Sequence, residues 1–391
     1  MAHGLEPVPG ATVLDRVLQL QPSIRGAEPD MVRERRLPTA IVDQLRVAGV
    51  FDIAVPAAHG GLELPFPEQM AVIEALSYAS GSVGWCAMIG CDSGYYGAML
   101  DDGVHRALFP ELGMVTAGMT APVGSAVAVD GGYRVSGRWR FGSGVNHADR
   151  ITGGAFIKDD AGGFLPGLDG IPLFRTMFLP VDEVEIHDTW FTTGLEGTGS
   201  NDYTAQDVFV PEEHAFDVIF GRSSREEPLY RLPSLFIYKL AAVPLGVARR
   251  AIDELVALAE TKLVVPAFVM LREESRTQMA VGRAAALIES AKAFVDDSYG
   301  HLWAAIVAGD EPDPPTRARA RLAMANTMTA CREAVQLLYD IAATSAVYQP
   351  NAIDGCLRDL IVMNQHIVAS TRNVEAAGRV LLGLDANAPL F

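Results

Sequence analysis

The spacing of apolar residues changes twice along the chain and divides it into three parts. Over residues 12–108, and again over 232–384, apolar residues recur every three or four positions, which is the spacing of one face of an α-helix. Over residues 114–211 they alternate with polar residues, and glycine and proline punctuate the segment, as in short strands joined by turns. The sequence therefore predicts a mostly α protein with a central β domain.

The middle part carries a clear hairpin signal, because Asp130, Gly131 and Gly132 separate two alternating runs. RITGGAFI, TMFLPV and AQDVFVP are further strand-like runs, so we expect a small antiparallel sheet.

The last part contains four long helical stretches joined by short links, a pattern that favours an antiparallel four-helix bundle. The fourth stretch, residues 357–383, is expected to be one continuous helix. The predicted domains are residues 1–112 (helical), 113–212 (β) and 213–391 (bundle).

Composition and charge argue against some classes of binding partner. Hydrophobic residues make up 49% of the 391 residues, so the chain can bury a large core. The formal charge of −17 argues against nucleic acid and anionic membranes, which attract basic proteins. No run reaches the ~18 apolar residues of a transmembrane helix, and the first residues lack the pattern of a signal peptide.

Cysteine and histidine usage predicts a cytoplasmic protein without a bound metal. The four cysteines form no CxxC pair and lie in apolar helical patterns, so we expect reduced thiols. The eight histidines form no HExxH or HxH motif.

Three segments hold candidate chemistry. In the last predicted helix Asp359, His366 and Asn373 recur every seven residues and share a face, so His366 is either a satisfied interface histidine or an acid–base group beside a ligand. GTGSN at 197–201 could hold a phosphate or a ring edge, or be a plain hairpin loop. Aromatic residues in segment 82–100 could line an apolar pocket or simply fill the core.

SGRWRFGSGVNHADR, residues 136–150, is too polar for a core strand and too aromatic for a solvated loop. It is either a turn that contains Trp139 and Phe141 or one wall of a cofactor site. Together with VPAAHGGLELPF, SVGWC, TGLEGTGSNDYTAQDVFVP and LRDLIVMNQH, in this order along nearly the whole chain, it resembles the acyl-CoA dehydrogenase fold. The resemblance is greatest to the oxygenase components of two-component flavin-dependent monooxygenases.

This resemblance implies an N-terminal helical domain, a middle β-barrel-like domain and a C-terminal four-helix bundle, assembled as a homotetramer. It also implies that reduced FMN or FAD arrives from a separate flavin reductase and reacts with O2 to a C4a-hydroperoxyflavin. One oxygen atom then enters a small organic substrate, expected to be aromatic or polyketide-like.

Two departures from the acyl-CoA dehydrogenases favour the monooxygenase branch. Many of those dehydrogenases carry a catalytic glutamate shortly after an Arg-Asp pair, but here Ile367 falls near that place after Arg358-Asp359. Their Arg-x-x-Phe-Gly segment, which anchors the FAD pyrophosphate, is replaced by TKLVVPAFV, residues 261–269, which lacks the arginine.

Carried over residue by residue, the resemblance assigns two catalytic residues. Ser143 matches a serine that hydrogen-bonds near the flavin N5, and His366 matches a histidine beside flavin and substrate that acts as a base or a hydrogen-bond partner. The implied cofactor-binding residues are Trp85, Gly118, Phe141, Gly142, Ser143, Thr198, Ser200, Thr344, Ser345 and His366. The implied substrate-binding residues are Trp85, Asp92, Ser93, Tyr96, Met119 and His366.

Alternative functions stay open at this point. Several phenol-hydroxylating relatives carry a second histidine where this chain has Asp92 and Ser93, and an acidic residue there could favour an amine, as in amino-sugar N-oxygenases. Solvation of Asp92 at the surface is the other interpretation. An FAD-dependent acyl-CoA dehydrogenase and a non-catalytic scaffold that has lost its flavin are the remaining alternatives.

Overall fold

A computed structural model describes residues 11–388 except 160, 219, 224 and 266, and it also leaves out the side chain of residue 169. The first ten residues, where the expected absence of a signal peptide mainly falls, lie outside the described part. The domain bounds given above stay a prediction.

The first part of the chain is helical, as its apolar spacing predicts. Thr12 begins the first helix with a capping box, since its hydroxyl accepts from Asp15 N and the Asp15 carboxylate accepts from Thr12 N. The turn expected at residues 59–61 is present, with Gly60 in the left-handed region at φ +86°. The helices are α1 (Val13–Gly26), α2 (Glu28–Glu34), α3 (Thr39–Val47), α4 (Phe66–Ala79), α5 (Gly81–Gly90), α6 (Ser93–Gly97) and α7 (Asp102–Leu108).

The middle part forms a seven-stranded sheet among the described residues, in the order β5-β6-β2-β1-β3-β4-β7. The strands are β1 (Thr116–Val129), β2 (Gly132–Gly142), β3 (Arg150–Lys158), β4 (Phe174–Leu179), β5 (Glu185–His187), β6 (Asn201–Pro211) and β7 (Ala215–Phe216). The predicted hairpin is confirmed, because β1 and β2 pair up to Val129 opposite Gly132 and Gly131 turns at φ +76°.

The expectation of a fully antiparallel sheet is wrong for one pair of strands, since β1 and β3 are parallel. β2 and β3 flank β1 and are joined at one end by the short segment 143–149, so they run in opposite directions. Because β2 is antiparallel to β1, β3 must run parallel to it. This crossing places segment 143–149 over the end of the sheet.

The last part is a helical bundle. Gly309 ends the longest helix at φ +85°, and Asp313 caps the next one by accepting from Thr316 N, so the two pack antiparallel across a short link. The elements are α8 (Pro228–Arg231), α9 (Leu235–Tyr238), α10 (Ala242–Thr261), β8 (Leu263–Val264), β9 (Val269–Met270), α11 (Ser275–Ala308), α12 (Pro314–Ala342), α13 (Ala352–Met363) and α14 (Thr371–Leu381).

The prediction of one continuous helix over residues 357–383 is wrong. α13 ends at Met363, and His366 and Ser370 both have extended backbone. Polar side chains stabilise the break by binding the local backbone: Asn373 donates to the Ile367 and Val368 carbonyls, and the Ser370 hydroxyl accepts from Arg372 N. Asp359, His366 and Asn373 therefore do not share a helix face.

Two hydrophobic cores are found among the described residues. The first runs without interruption from the N-terminal helices into the bundle, so these two parts pack as one apolar body. The second belongs to the sheet, where the fully buried rings of Trp139 and Tyr203 stack with their centroids 5.4 Å apart. Trp139 therefore fills the sheet core.

The first core also contains an ion pair. Lys239 Nζ lies 2.7 Å from Asp92 Oδ1, and the two side chains are 0% and 2% exposed. Lys239 also donates to Cys91 Sγ at 2.9 Å and to the Met88 carbonyl at 3.3 Å. Burial raises the pKa of Asp92 to about 6 although Lys239 opposes this, so the pair is ionic at neutral pH.

The sequence predicts no membrane span, no metal site and no disulfide, and the described residues bear on each of these expectations. No helix among them is long and apolar enough to cross a membrane. No group of three or more His, Cys, Asp or Glu side chains there is arranged to hold a metal ion. The four cysteines, Cys86, Cys91, Cys331 and Cys356, are buried and free.

We expect Lys239→Met to destabilise the fold by about 3–5 kcal/mol at pH 7.5, because it leaves a buried carboxylate unpaired. The loss is smaller at pH 5, where Asp92 takes up a proton. The double variant Asp92→Asn/Lys239→Met recovers more than half of the stability that Lys239→Met loses at pH 7.5. Urea unfolding at both pH values measures these differences.

Lys292→Met is the matched control, since Lys292 makes a partly exposed pair with Asp296 and its loss should cost about 1 kcal/mol or less. Equal losses for Lys239→Met and Lys292→Met would contradict the assignment of Asp92–Lys239 as a structural ion pair.

Candidate functional site

β2 turns sharply at Phe141, just before it ends, and Ser143 is the first residue after the strand. Phe141 has φ +61°, an uncommon conformation for an aromatic residue, and its side chain is 61% exposed. Ser143 N donates to the Phe141 carbonyl at 2.8 Å, and Gly144 N donates to the Thr198 carbonyl at 2.9 Å. The loop therefore joins the two segments, FGSG and GTGSN, that the sequence marks as candidates.

Four side chains form a continuous hydrogen-bonded chain where these segments meet. Trp85 Nε1 donates to Ser143 Oγ at 3.0 Å, and Ser143 Oγ lies 2.8 Å from Ser200 Oγ. Ser200 Oγ lies 2.7 Å from Thr198 Oγ1, which donates to the Leu195 carbonyl at 2.8 Å. This hydroxyl chain, Trp85–Ser143–Ser200–Thr198, connects α5 to both loops of the sheet.

His366 lies in the link between α13 and α14 and meets Trp85 edge to face, with ring centroids 5.5 Å apart. Its Nδ1 accepts a long hydrogen bond of 3.4 Å from Val368 N. Burial lowers the pKa of His366 to about 4, so the ring is neutral at physiological pH. With Nδ1 as acceptor, the proton of the neutral ring is assigned to Nε2.

The Arg-Asp pair of α13 fastens residues 193–196, which lead into the GTGSN loop, to the bundle. Asp359 Oδ1 accepts from Leu195 N at 2.6 Å, and Arg358 donates to the Thr193 carbonyl at 2.6 Å and to Glu196 at 3.0 Å. Burial raises the pKa of Asp359 to about 7. Thus Asp359, on the side of α13 that meets this loop, positions the loop and does not share a site face with His366.

Gly118 and Met119 lie in β1 just before a bulge that begins after Met119. Gly118 has φ +127°, and a Cβ there would lie 2.2 Å from the Thr152 carbonyl oxygen, so a larger residue does not fit. The Tyr203 hydroxyl donates to that same carbonyl at 2.6 Å and accepts from Met119 N at 2.7 Å. The sheet core thus fixes the bulge through Tyr203.

Asp92 and Ser93 are placed differently from the other predicted substrate residues. Solvation of Asp92 at the surface is wrong, because the carboxylate is buried against Lys239. Ser93 Oγ donates back to the Gly90 carbonyl at 3.3 Å. Tyr96 packs its ring on Phe216 and Phe236, with centroids 5.5 and 5.4 Å away.

Thr344 and Ser345 lie in a short turn after α12. Within the described residues, none of the hydrogen bonds found joins either of them to Trp85, Ser143 or His366, so their assignment stays a prediction.

Sequence reasoning missed two positions. Lys239 is the only charged residue in the apolar stretch 232–248, and this isolated charge was a signal for a buried partner. The Leu195 backbone carried no comparable signal, because its role comes from φ +50° and from its contacts.

Comparison with known proteins identifies the group to which this arrangement belongs. Residues 19–104 match the acyl-CoA dehydrogenase N-terminal domain, and residues 238–371 match the acyl-CoA dehydrogenase C-terminal domain. An indole-3-acetate monooxygenase of Pseudomonas putida is 30% identical over 353 residues, which cover 90% of this chain and 88% of that protein. The chain belongs to the flavin-dependent monooxygenases of the acyl-CoA dehydrogenase fold.

Two further relatives agree with this assignment. The FADH2-dependent resorcinol hydroxylase, oxygenase component, of a Rhizobium species is 27% identical over 411 residues, with 98% of both chains covered. The structure of XiaF from a Streptomyces species in complex with FADH2 and glycerol superposes with a TM-score of 0.90 at 24% identity, over 97% of each chain, and supports the fold.

The protein is thus the oxygenase component of a two-component system that uses reduced FAD or FMN, and a flavin reductase is its implied partner. The residues present fit a flat ring. Phe141 is exposed at the end of β2, and residue 118 has no room for a side chain. Ser143, which carries a hydroxyl, is 7% exposed.

We expect Asp359→Ala to loosen the GTGSN loop of the oxygenase, because Leu195 N loses its acceptor. The free energy of unfolding falls by about 1–3 kcal/mol, the cost of an unsatisfied buried donor. The rate of amide hydrogen exchange in segment 193–200 rises at the same time.

Asp359→Asn is the matched control, since the amide oxygen keeps an acceptor for Leu195 N and should limit both effects. If the amide hydrogens of segment 193–200 exchange at the wild-type rate in both Asp359→Ala and Asp359→Asn, Asp359 does not anchor this loop.

Proposed function

We propose that the oxygenase hydroxylates a small aromatic substrate, with reduced flavin supplied by a separate reductase. When bound, the reduced flavin supplies the two electrons that activate O2, so that one oxygen atom enters the substrate and the other leaves as water. In this proposal Phe141, Gly142 and Ser143 lie along the flavin ring, with Ser143 at its N5 edge. Gly118 lies beside the ring, and Trp85 and His366 border both flavin and substrate.

The observation that carries the proposal is the convergence of Trp85, Ser143 and His366 without a carboxylate. Within the described residues, no aspartate or glutamate is found hydrogen-bonded to any of these three side chains. A dehydrogenase that removes an α-proton from an acyl thioester needs such a base. Ile367, near the place of the family glutamate, is 73% exposed and cannot take up a proton. The arrangement therefore supports oxygenation rather than dehydrogenation.

Aromatic side chains near the proposed site support an aromatic substrate. Tyr96 and Trp85 are mostly buried, and the rings of Phe216 and Phe236 pack on Tyr96. The printed activities of relatives, indole-3-acetate monooxygenase and resorcinol hydroxylase, also concern aromatic rings. Asp92 does not support an amine substrate, because its carboxylate is already paired with Lys239.

The homotetramer stays part of the proposal. Large apolar side chains on the last part of the chain are exposed in the single chain, as expected for surfaces that subunits cover. They include Val347, Tyr348, Ile367, Leu381 and Leu382.

The proposal predicts turnover without a nicotinamide cofactor. Chemically reduced FMN or FAD, O2 and indole or a simple phenol should give a ring-hydroxylated product, detected by mass spectrometry with 18O2. Ser143→Ala should lower the ratio of product to hydrogen peroxide several-fold, because one of the fixed hydrogen-bond partners of the site is lost.

Thr192→Ala is a control outside the proposed contacts, since the Thr192 hydroxyl bonds only to the nearby Gly194 carbonyl among the contacts found. Anaerobic bleaching of bound flavin by an acyl thioester, with no labelled product, would favour a dehydrogenase instead.

The neutral His366 predicts a donor role. Since its pKa is lowered to about 4, kcat/KM should show no ionisation of His366 between pH 5 and 8, and should fall only as the pH approaches 4 and the ring becomes charged. His366→Gln keeps an N–H donor and should retain most activity, whereas His366→Leu should lose about tenfold.

A wild-type kcat/KM that rises between pH 6 and 7 would contradict this role if the rise is lost in His366→Gln. That result would make His366 a base.

A further inference from the structure

A groove crosses the middle of the sheet on the face opposite Trp139. Ser125 of β1 lies opposite Ser136 of β2, and their neighbours Gly124 and Gly137 have no side chains. A Cβ at Gly124 or Gly137 would lie 2.6 or 2.8 Å from the Trp139 ring, so the ring buried on the other face requires glycine at both positions. Four small residues therefore lie side by side and leave a groove of about 420 Å³.

Apolar side chains form the walls of this groove. Phe156 of β3 lies beside Ser125 in the sheet register, and Phe164 packs edge to face on Phe156 with ring centroids 5.4 Å apart. Val123 and Phe164 are each 56% exposed, so the groove presents apolar surface to solvent. Walls of this kind suit a flat ring.

One cation also lines the groove. Lys158 Nζ lies 5.4 Å from the centroid of the Phe164 ring, and none of the ion pairs found among the described residues includes Lys158. The Asp159 carboxylate next to it in sequence accepts from Ala161 N and Gly163 N instead. The groove therefore combines an aromatic wall with a positive charge.

The strand register places a second positive charge in the same row of the sheet. Lys158 of β3 and Arg134 of β2 both lie opposite Val127 of β1, one on each side. Asp207, the ion-pair partner of Arg134, is 3.9 Å away and 75% exposed, so this pair is weak. In a chain with a formal charge of −17, this row is a local positive surface that attracts a carboxylate.

We propose that this groove is a second binding site, for a small aromatic carboxylate. The aromatic ring of the ligand lies between Val123 and Phe164, and its carboxylate accepts from Lys158 Nζ. The Ser125 hydroxyl, for which no hydrogen bond is found among the described residues, donates to the same carboxylate. The site shares no residue with the hydroxyl chain or with His366, and the inference does not rest on the proposed function.

The chemistry of the groove favours a carboxylate over a phosphate. One ammonium group and one hydroxyl match the two oxygens of a carboxylate. The donors typical of phosphate sites, an arginine fork or a helix N-terminus, are not among the described residues that line the groove.

The test compares Kd for naphthoate and for its neutral isostere naphthamide, measured by isothermal titration calorimetry on the flavin-free full-length protein. Wild type should bind naphthoate more tightly, on the order of tenfold, because only the carboxylate makes a charge-assisted hydrogen bond. Lys158→Met should remove this preference and leave the affinity for naphthamide unchanged. High salt should reduce the preference of the wild type.

Two further measurements locate the ligand. Naphthoate should slow the acetylation of Lys158 by an activated ester, followed by peptide mass spectrometry, but not that of Lys292, a partly exposed lysine of α11. Phe164→Ala should weaken both ligands by the same factor, because the wall is lost and the charge remains. Lys292→Met is the matched control and should keep both wild-type constants.

Equal affinity of wild type and Lys158→Met for naphthoate would overturn the inference. So would binding of naphthoate that leaves the acetylation of Lys158 unchanged, since the ligand would then occupy another site, such as that of the flavin. The test uses neither flavin nor O2. A protein that hydroxylates no aromatic compound but protects Lys158 with naphthoate would therefore contradict the proposed function and support this inference.

Discussion

The backbone of Leu195 is the point on which the site depends. Its N–H is held by Asp359 of the bundle, and its carbonyl receives the protons of Thr198 and Trp190 from the sheet part of the chain. Both peptide groups are satisfied, as buried backbone groups must be. Because Leu195 sits in a left-handed conformation, the loop turns so that its two sides face different parts of the protein. The Leu195 backbone therefore links the bundle to the sheet part, beside the contacts that Arg358 makes to Thr193 and Glu196.

Satisfaction of buried polar groups explains the rest of the arrangement. The hydroxyl chain is possible because each hydroxyl both donates and accepts, so it links Trp85 to a carbonyl without an unpaired group. The Asp92–Lys239 pair follows the same requirement with charges in place of hydroxyls. In the first case Ser143 stays 7% exposed, whereas in the second the two charged side chains are 0% and 2% exposed and occupy each other. This difference separates a candidate site from a structural polar cluster.

Much of the candidate site could be predicted from sequence. The order of helical and β parts follows from apolar spacing, and the resemblance of FGSG, GTGSN and RD-x6-H to flavin-dependent monooxygenases led to Ser143 and His366. The family is confirmed by comparison. The roles of these residues remain proposals. The helix through His366 was wrongly predicted, because seven-residue spacing does not reveal that Ser370 and Asn373 bind the backbone around the break.

The sequence by itself determined the layout of the elements, the hairpin at Gly131 and the residue types available for chemistry, since periodicity and turn chemistry are local properties. Only the tertiary structure decided that Asp92 is paired with Lys239, that Asp359 holds a loop and that His366 is neutral. The first two properties depend on partners 147 and 164 residues away, and the third depends on burial that no local pattern encodes.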